Sequence, residues 1–284
     1  MKKQKNSSAW MALPLYIFTI VFVICPLLYV VALSFATPNR GYGVTWKFTL
    51  DNYKNILEPV YLNTFVESLK LALTSTAAIV LIGYPFGYFM AKLPEHRKKK
   101  AHLLLTLPFW VNSLIRLYGW IIILQKKGLL NFVLMKLGLI KKPLAILYSY
   151  PAIVVGMIYV LLPFMIMSVY SSAEKLDWSY VEAARDLGAS RVQAFFTVTL
   201  KLTLPGLLSG VILTFVPSMG LFFIADILGG NKIVLVGSLI QDQMTRGSNW
   251  SFAAALAVVM MVLTTVMIMI YRKVSNAREL EGIG

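Results

Sequence analysis

Charge is scarce in this chain. Lysine, arginine, aspartate and glutamate make up 14% of its 284 residues, where a soluble domain carries about a quarter. Acids are scarcer than bases, with 12 Asp and Glu against 27 Lys and Arg and a net charge of +15. Cysteine occurs once, as Cys25 inside an apolar run, which excludes an internal disulfide and a CxxC metal site. The two histidines, His96 and His102, flank a lysine cluster without a third ligand type beside them, so no metal centre is expected. No G-x-x-x-x-G-K-[ST] loop is present to cradle nucleotide phosphates. Paired catalytic carboxylates and a G-x-S-x-G elbow are also missing. The expectation is a chain with no catalytic residues and no bound cofactor. Internal repeats are absent too, which gives no support to a carrier built from two repeats in one chain.

What is abundant is apolar sequence. Hydrophobic residues make up 58% of the chain, the mean hydropathy is +0.72, and the apolar residues fall in runs of 20 or more. Such runs are long enough to cross a hydrocarbon layer of roughly 30 Å. The reading is an all-α integral membrane protein with six spans, at about 11–35, 65–91, 103–125, 151–172, 204–228 and 252–271. The apolar stretch to Phe35 exceeds the core of a cleaved signal peptide and is expected to stay as the first span. The bases lie almost wholly between spans, where they set topology and meet anionic lipid headgroups, so nucleic acid is not an expected partner. With the N-terminus inside, the inner segments hold 15 Lys and Arg and the outer ones 10. The dense KLPEHRKKK segment then lies inside. The domain plan is a cytoplasmic N-terminus at 1–10, one permease domain at 11–275 with a cytoplasmic loop at 173–203, and a cytoplasmic tail at 276–284. Outside, FTLDNYKNIL at 48–57 reads as a turn and a helix with Asp51 as N-cap, and LLNFVLMKLGL at 129–139 as a short interfacial helix. Pro26, Pro85, Pro108, Pro163 and Pro217 are expected to interrupt spans.

The 173–203 loop is polar and well punctuated. Leu176, Tyr180, Ala183 and Leu187 recur at helical spacing. Ser179 followed by Glu182 fits a capping box, with Asp177 as a competing cap. Gly188 is placed to end the helix in a left-handed turn. Ser190 and Gln193 make a second box, opening a helix that carries Val192, Phe195, Phe196 and Val198. The expectation is two short helices about a glycine turn. Helices this short are marginal alone in water, so the pair needs a surface to dock on.

Glu182-Ala183-Ala184, three residues and then Gly188, in a loop before the penultimate span, resembles the EAA loop of ABC importer permeases. Lys201 stands where that pattern usually has proline, with Leu204-Pro205 following. FTLDNY at 48–53, LPFWVNSLIRLYG at 107–119, YVLLPFMIMSVYSS at 159–172, EKLDWSYVEAARDLGAS at 174–190 and PSMGLFFIADILGG at 217–230 are similar to the spermidine/putrescine importer permeases, a family of binding-protein-dependent type I ABC importers. The resemblance covers residues 10 to about 275. It implies a MetI-like permease fold with both termini cytoplasmic, in a bacterial inner membrane. It implies a second homologous permease, a cytoplasmic ATPase dimer that carries ATP and Mg²⁺, and an extracytoplasmic polyamine-binding protein. It assigns ATPase coupling to Glu182, Ala183, Ala184, Asp186, Gly188 and Ser190. The alternatives are a permease for another small solute and, in a different class, an ATP-independent channel or carrier.

A polyamine path needs carboxylates and aromatic faces to receive an extended cation. Charged residues inside spans are functional candidates, with pairing inside the bundle as the alternative. Asp226 is the leading candidate, with Phe222 and Phe223 beside it and the Pro217/Gly220 break before it. Trp110 and Tyr118 add aromatic lining. Glu67 is also a candidate, though Lys70 three residues on suits it as an ion-pair partner. Arg116 repels a polycation and is expected to pair with an acid of a neighbouring span.

Overall fold

The computed structural model describes residues 13–39 and 43–281, the last eight by backbone alone. The expected cytoplasmic N-terminus at 1–10 and the last residues of the tail lie outside it. The elements in chain order are α1 (Leu13–Ser34), strands β1 (Ala36–Pro38) and β2 (Val44–Phe48), α2 (Asp51–Ile56), α3 (Pro59–Ala91) and α4 (Glu95–Thr106). A 3-10 turn at Leu107–Trp110 comes next, then α5 (Ser113–Leu124), α6 (Leu129–Lys136), α7 (Tyr150–Glu174), α8 (Ser179–Asp186) and α9 (Arg191–Gly220). The chain closes with α10 (Phe222–Gly229), α11 (Val236–Thr245) and α12 (Trp250–Glu281). Among the described residues six stretches are long and apolar enough to cross a membrane: Leu13–Ser34, Pro59–Ala91, Ser113–Lys136, Tyr150–Glu174, Arg191–Gly220 and Trp250–Lys273.

Two compact units are present. The first comprises Met1–Asn63 and Leu239–Thr265. Its antiparallel β1–β2 hairpin pairs Ala36 with Phe48 and Pro38 with Val44. Asn52 is buried and donates to the carbonyls of Ser34 and Ala36, at 2.9 and 3.0 Å. That amide satisfies the Ser34 carbonyl, one of those a helix terminus otherwise leaves open, and ties it to the start of β1. Phe35 stacks on Phe48 and leans on Tyr53, and Tyr61 meets Phe252 edge-on. Leu50, not Asp51, holds the N-cap position of α2. Asp51 is one residue further on, where its carboxylate accepts from Thr49 Oγ1 at 2.8 Å. Along α1 most apolar side chains are exposed, as a helix facing lipid requires.

The second unit comprises Thr64–Ser238 and Val266–Gly284, and α7 is its axis. Ile153, Met157, Leu161, Met165 and Val169 of α7 are fully buried, against Leu71 and Ile79 of α3, Leu117 of α5, and Ile224 and Leu228 of α10. Glycines set how near the neighbours come. A Cβ on Gly206 of α9 would sit 2.3 Å from Cβ of Ser172, and one on Gly87 of α3 would sit 2.7 Å from the Ile166 carbonyl oxygen. Ser168 Oγ donates to the Gly206 carbonyl across the same crossing, at 2.8 Å. Small residues and interhelical hydrogen bonds of this kind hold helices together in lipid.

Two expected spans are drawn differently. The third was expected as one helix over 103–125. Instead the chain breaks at Val111, which is extended, and restarts at Asn112, whose side chain accepts from Leu114 N. Pro108 lacks an N–H and so cannot carry the ladder through this point. The fifth was expected at 204–228. It begins at Arg191 and ends at Gly220, and Leu221 separates it from α10. Pro26, Pro85, Pro163 and Pro217 lie inside continuous helices, so of the five only Pro108 sits at a break. Proline thus interrupts fewer spans than expected, because neighbouring helices and local adjustments re-satisfy the freed backbone groups.

Gly206→Leu is expected to force α9 off α7 and to destabilise the protein by about 1–3 kcal/mol, seen as a lower melting midpoint in detergent. Gly119→Leu, at a position with nothing within 4 Å of an added Cβ, is the matched control and is expected to melt with the parent. Equal midpoints for both variants would refute the close-approach account.

Candidate functional site

The loop between α7 and α9 has the expected punctuation at its turn and departs from it at both ends. α8 spans Ser179–Asp186 and closes in a Schellman motif, with Gly188 N donating to Arg185 O and Ala189 N to Ala184 O, each at 3.0 Å. Gly188 has φ +92°, a left-handed conformation that glycine adopts without steric cost. Ser190 and Gln193 form the full reciprocal capping box. The first box does not form. Asp177 Oδ1 accepts from Ser179 N at 3.0 Å, and this bond together with the Ser179 hydroxyl holds the Asp177 carboxyl below its ordinary range. Glu182 makes no cap. It is exposed in the first turn of α8, where its charge favours the helix dipole. The second short helix is not a separate element either. It is the first turn of α9, which runs on from Arg191 through a π turn at Phe195–Thr199. Lys201 lies inside this continuous helix, so the missing proline leaves no break there.

α8 is amphipathic, and part of its apolar surface is uncovered. Leu187 is 90% exposed and Tyr180 59%, and Val192 and Phe196 at the start of α9 are also exposed. Ala183, Asp186 and Ser190 are exposed as well, and Ala184 is half-buried. The six expected coupling residues therefore lie on one short turn-linked stretch, on a surface this chain does not fill. The other side of the loop is fastened down. Trp178 meets Tyr88 edge-on at 5.8 Å, and Phe195 meets both Tyr84 and Tyr88. The Tyr84 hydroxyl shares a 2.8 Å hydrogen bond with Thr203. Beside this cluster, Lys98 of α4 reaches Glu95 at 2.9 Å and Glu174 at 3.4 Å, tying α4 to the end of α7.

The path candidates lie toward the other end of α9. Asp226 is half-buried on α10 and accepts from Ser238 Oγ at 3.1 Å. It lines a cavity of about 500 Å³ with Tyr118, Tyr148, Asn231 and Lys232. Tyr148 and Asn231 sit at φ +61° and +57°, conformations that non-glycine residues rarely hold and that cluster at functional sites. Phe223 lines a second cavity with Asn112, Ser113 and Arg116, while Phe222 packs over Gly237. Asp226 and Tyr118 are thus brought together, and Phe223 is nearby on the same helix. Trp110 is 76% exposed on its 3-10 turn and Glu67 is held by Lys70 at 2.7 Å, so neither lines the Asp226 cavity. Arg116 has no carboxylate partner among the described residues. Its guanidinium lies over the Tyr159 ring, 5.3 Å from the centroid, a cation–π contact in place of the expected ion pair. Tyr148, Asn231 and Lys232 were not anticipated, although the Gly229-Gly230-Asn231 turn is a signal for a loop that backs onto a cavity. Among the described residues no group of three His, Cys, Asp or Glu is placed to hold a metal ion.

Residues 6–279 match the family model described as "Binding-protein-dependent transport system inner membrane component". The chain is 43% identical over 257 residues to the spermidine/putrescine transport system permease protein PotB of Salmonella typhimurium, covering 90% of each. It is 42% identical to the Escherichia coli protein of that name, covering 90% of this chain and 94% of that one. Among solved structures it is similar to the bacterial alginate ABC transporter in complex with a periplasmic protein bound to an alginate pentasaccharide. There the TM-score is 0.74 at 16% identity, with 97% of this chain and 96% of that one covered. It is also similar to the MetNI methionine ABC transporter, at TM-score 0.57 and 19% identity over 78% of this chain and 98% of that one. At such identities the likeness concerns the fold, and that fold is the ABC importer permease fold.

Gly188→Ala adds a methyl group into open space, so its effect is conformational. It is expected to cost about 1–2 kcal/mol and to speed amide exchange across Ser179–Asp186 about tenfold in hydrogen-exchange mass spectrometry. Unchanged exchange in that peptide would show that the left-handed turn does not hold the end of α8.

Proposed function

The chain belongs to the family of binding-protein-dependent transport system inner membrane components, and from that premise we propose that it is one of two homologous permease chains of an ATP-driven importer of spermidine and putrescine. Residues 11–275 act as one multi-pass permease domain. Identity of 42–43% across 90% of the chain to polyamine permeases carries the substrate assignment. With family membership in hand, an ATP-independent channel or carrier has nothing left to recommend it.

In this reading the Lys/Arg bias puts both termini and the α8 loop in the cytoplasm. ATP, with its Mg²⁺, is bound and hydrolysed on a separate ATPase dimer, and this chain contributes the surface that receives the motion. The uncovered face of α8 supports that role: Leu187 and Tyr180 offer apolar anchors, and Glu182, Arg185 and Asp186 surround them with exposed charge. Interfaces commonly have such an apolar centre and polar rim. On the outer side a polyamine-binding protein delivers substrate. Asp226 supplies the carboxylate that meets an ammonium group, and Tyr118 and Tyr148, in the same cavity, offer aromatic faces. Phe222, Phe223, Trp110 and Glu67 remain proposed contributors along the path, outside that cavity's lining.

Two experiments test the reading in proteoliposomes holding both permeases, the ATPase and the loaded binding protein. Leu187→Glu buries a charge at the docking centre and is expected to reduce ATPase co-purification at least tenfold. Full retention would remove α8 as the docking element. Asp226→Asn is expected to raise the KM for spermidine uptake several-fold with the complex intact. Unchanged kinetics would take Asp226 out of the path.

A further inference from the structure

α8 has only eight residues, and its apolar side chains are largely exposed. Burial within this chain therefore does little to hold it in place. Its start is fixed by the residue just before it. Trp178 is half-buried against Tyr88, and Lys92, just past the end of α3, places its ammonium nitrogen 4.4 Å from the Tyr88 ring centroid and 4.6 Å from that of Trp178. The cation thus serves two rings at once, one from α3 and one from the entry to α8. Tyr88 in turn meets Phe195, the first residue of the π turn in α9, at 5.8 Å. Three stretches of chain converge on four side chains. No ion pair holds Lys92 among the described residues, and each contact to the cation is a cation–π contact. A lysine serving only lipid headgroups would extend its ammonium toward them, not settle it between two rings of its own chain.

We infer that Lys92 is a positioning residue for coupling, clasping Trp178 to Tyr88 so that displacement of α8 carries the end of α3 with it. The π turn beginning at Phe195 lies against the same rings, and wide turns of this kind recur at functional sites. The clasp rests on the proposal that α8 seats on a separate ATPase, and the test keeps the two apart.

The complete importer is reconstituted in proteoliposomes with variants of this chain. ATPase co-purification, ATP hydrolysis and spermidine imported per ATP hydrolysed are measured together. Lys92→Gln and Trp178→Leu are expected to keep the ATPase bound but to lower the import-to-hydrolysis ratio about threefold or more. Lys92→Arg, which keeps a cation for the rings, and Trp178→Phe, which keeps a ring, are expected to stay within twofold of the parent. A merely structural contribution reduces the number of working complexes, so import and hydrolysis fall together and their ratio holds. That pattern, or a parental ratio in Lys92→Gln, overturns the clasp. Failure of the unmodified chain to retain the ATPase would instead overturn the docking reading, and the clasp with it.

Discussion

Close approach to α7 is the constraint on which the rest of this molecule depends. Lipid gives two apolar helices little reason to associate, since the tails are as apolar as the side chains. Association then rests on short-range packing, and that requires small residues where helices cross. α3 brings Gly83 and Gly87 to α7, α9 brings Gly206 and Gly210, and α10 brings Gly229. Gly156 of α7 returns the arrangement by leaving room for Ile224 and Leu228 of α10. Each contact places one of the candidate sites. The α10 crossing sets the helix that carries Asp226. The Gly206 crossing sets the helix whose first turn emerges from the α8 loop.

In the α8 loop a helix is given only half a partner. Its entry is pinned by Tyr88 of α3, which itself leans on Phe195 of α9, and its end is closed by a Schellman motif. Tyr180 and, just past the helix, Leu187 face outward. An isolated eight-residue helix would fray, and these local devices keep it formed without using the face left open. That division leaves the stability of the loop independent of the open face, as the proposed seating of a partner there requires.

How far the sequence carried this picture depended on whether the controlling interactions were local. Gly188 and the Ser190–Gln193 box were legible because each acts within a few residues. The six spans were legible because hydrophobic length is additive. The break at Val111 and the start of α9 at Arg191 were not, because hydropathy averages over a window and marks apolar stretches, not helix ends. The Glu182 cap failed because Asp177 reaches the first free N–H sooner, at Ser179. Arg116 was expected beside an acid and lies over Tyr159, more than forty residues away, and no spacing rule points to such a pairing. The Asp226 cavity was half legible. Asp226 and Tyr118 announce themselves as polar or aromatic residues in or near spans, whereas Tyr148 and Asn231 enter through backbone conformations that only the fold imposes.

Continuity of α9 changes how its two ends can communicate. Two short helices and a separate span would have placed a linker between the loop and the bundle, and a linker absorbs displacement. A single helix of 30 residues rises about 45 Å and carries displacement along its length. Its weak points are then informative. The π turn at Phe195–Thr199 and Pro205 lie on the loop side of the Gly206 crossing, and Leu221 lies just beyond the far end, ahead of α10. Between them the helix is held along its length, with Gly206 against Ser168 and Ser172, Gly210 against Met165, and Ser209 on the Tyr271 hydroxyl at 3.0 Å. In the proposed reading, a push on the first turn passes along a helix held firmly in the bundle toward the short helix carrying Asp226. The small residues that let α9 approach α7 are therefore what join the loop end of the helix to the bundle, and a bulkier side chain at Gly206 would part the two.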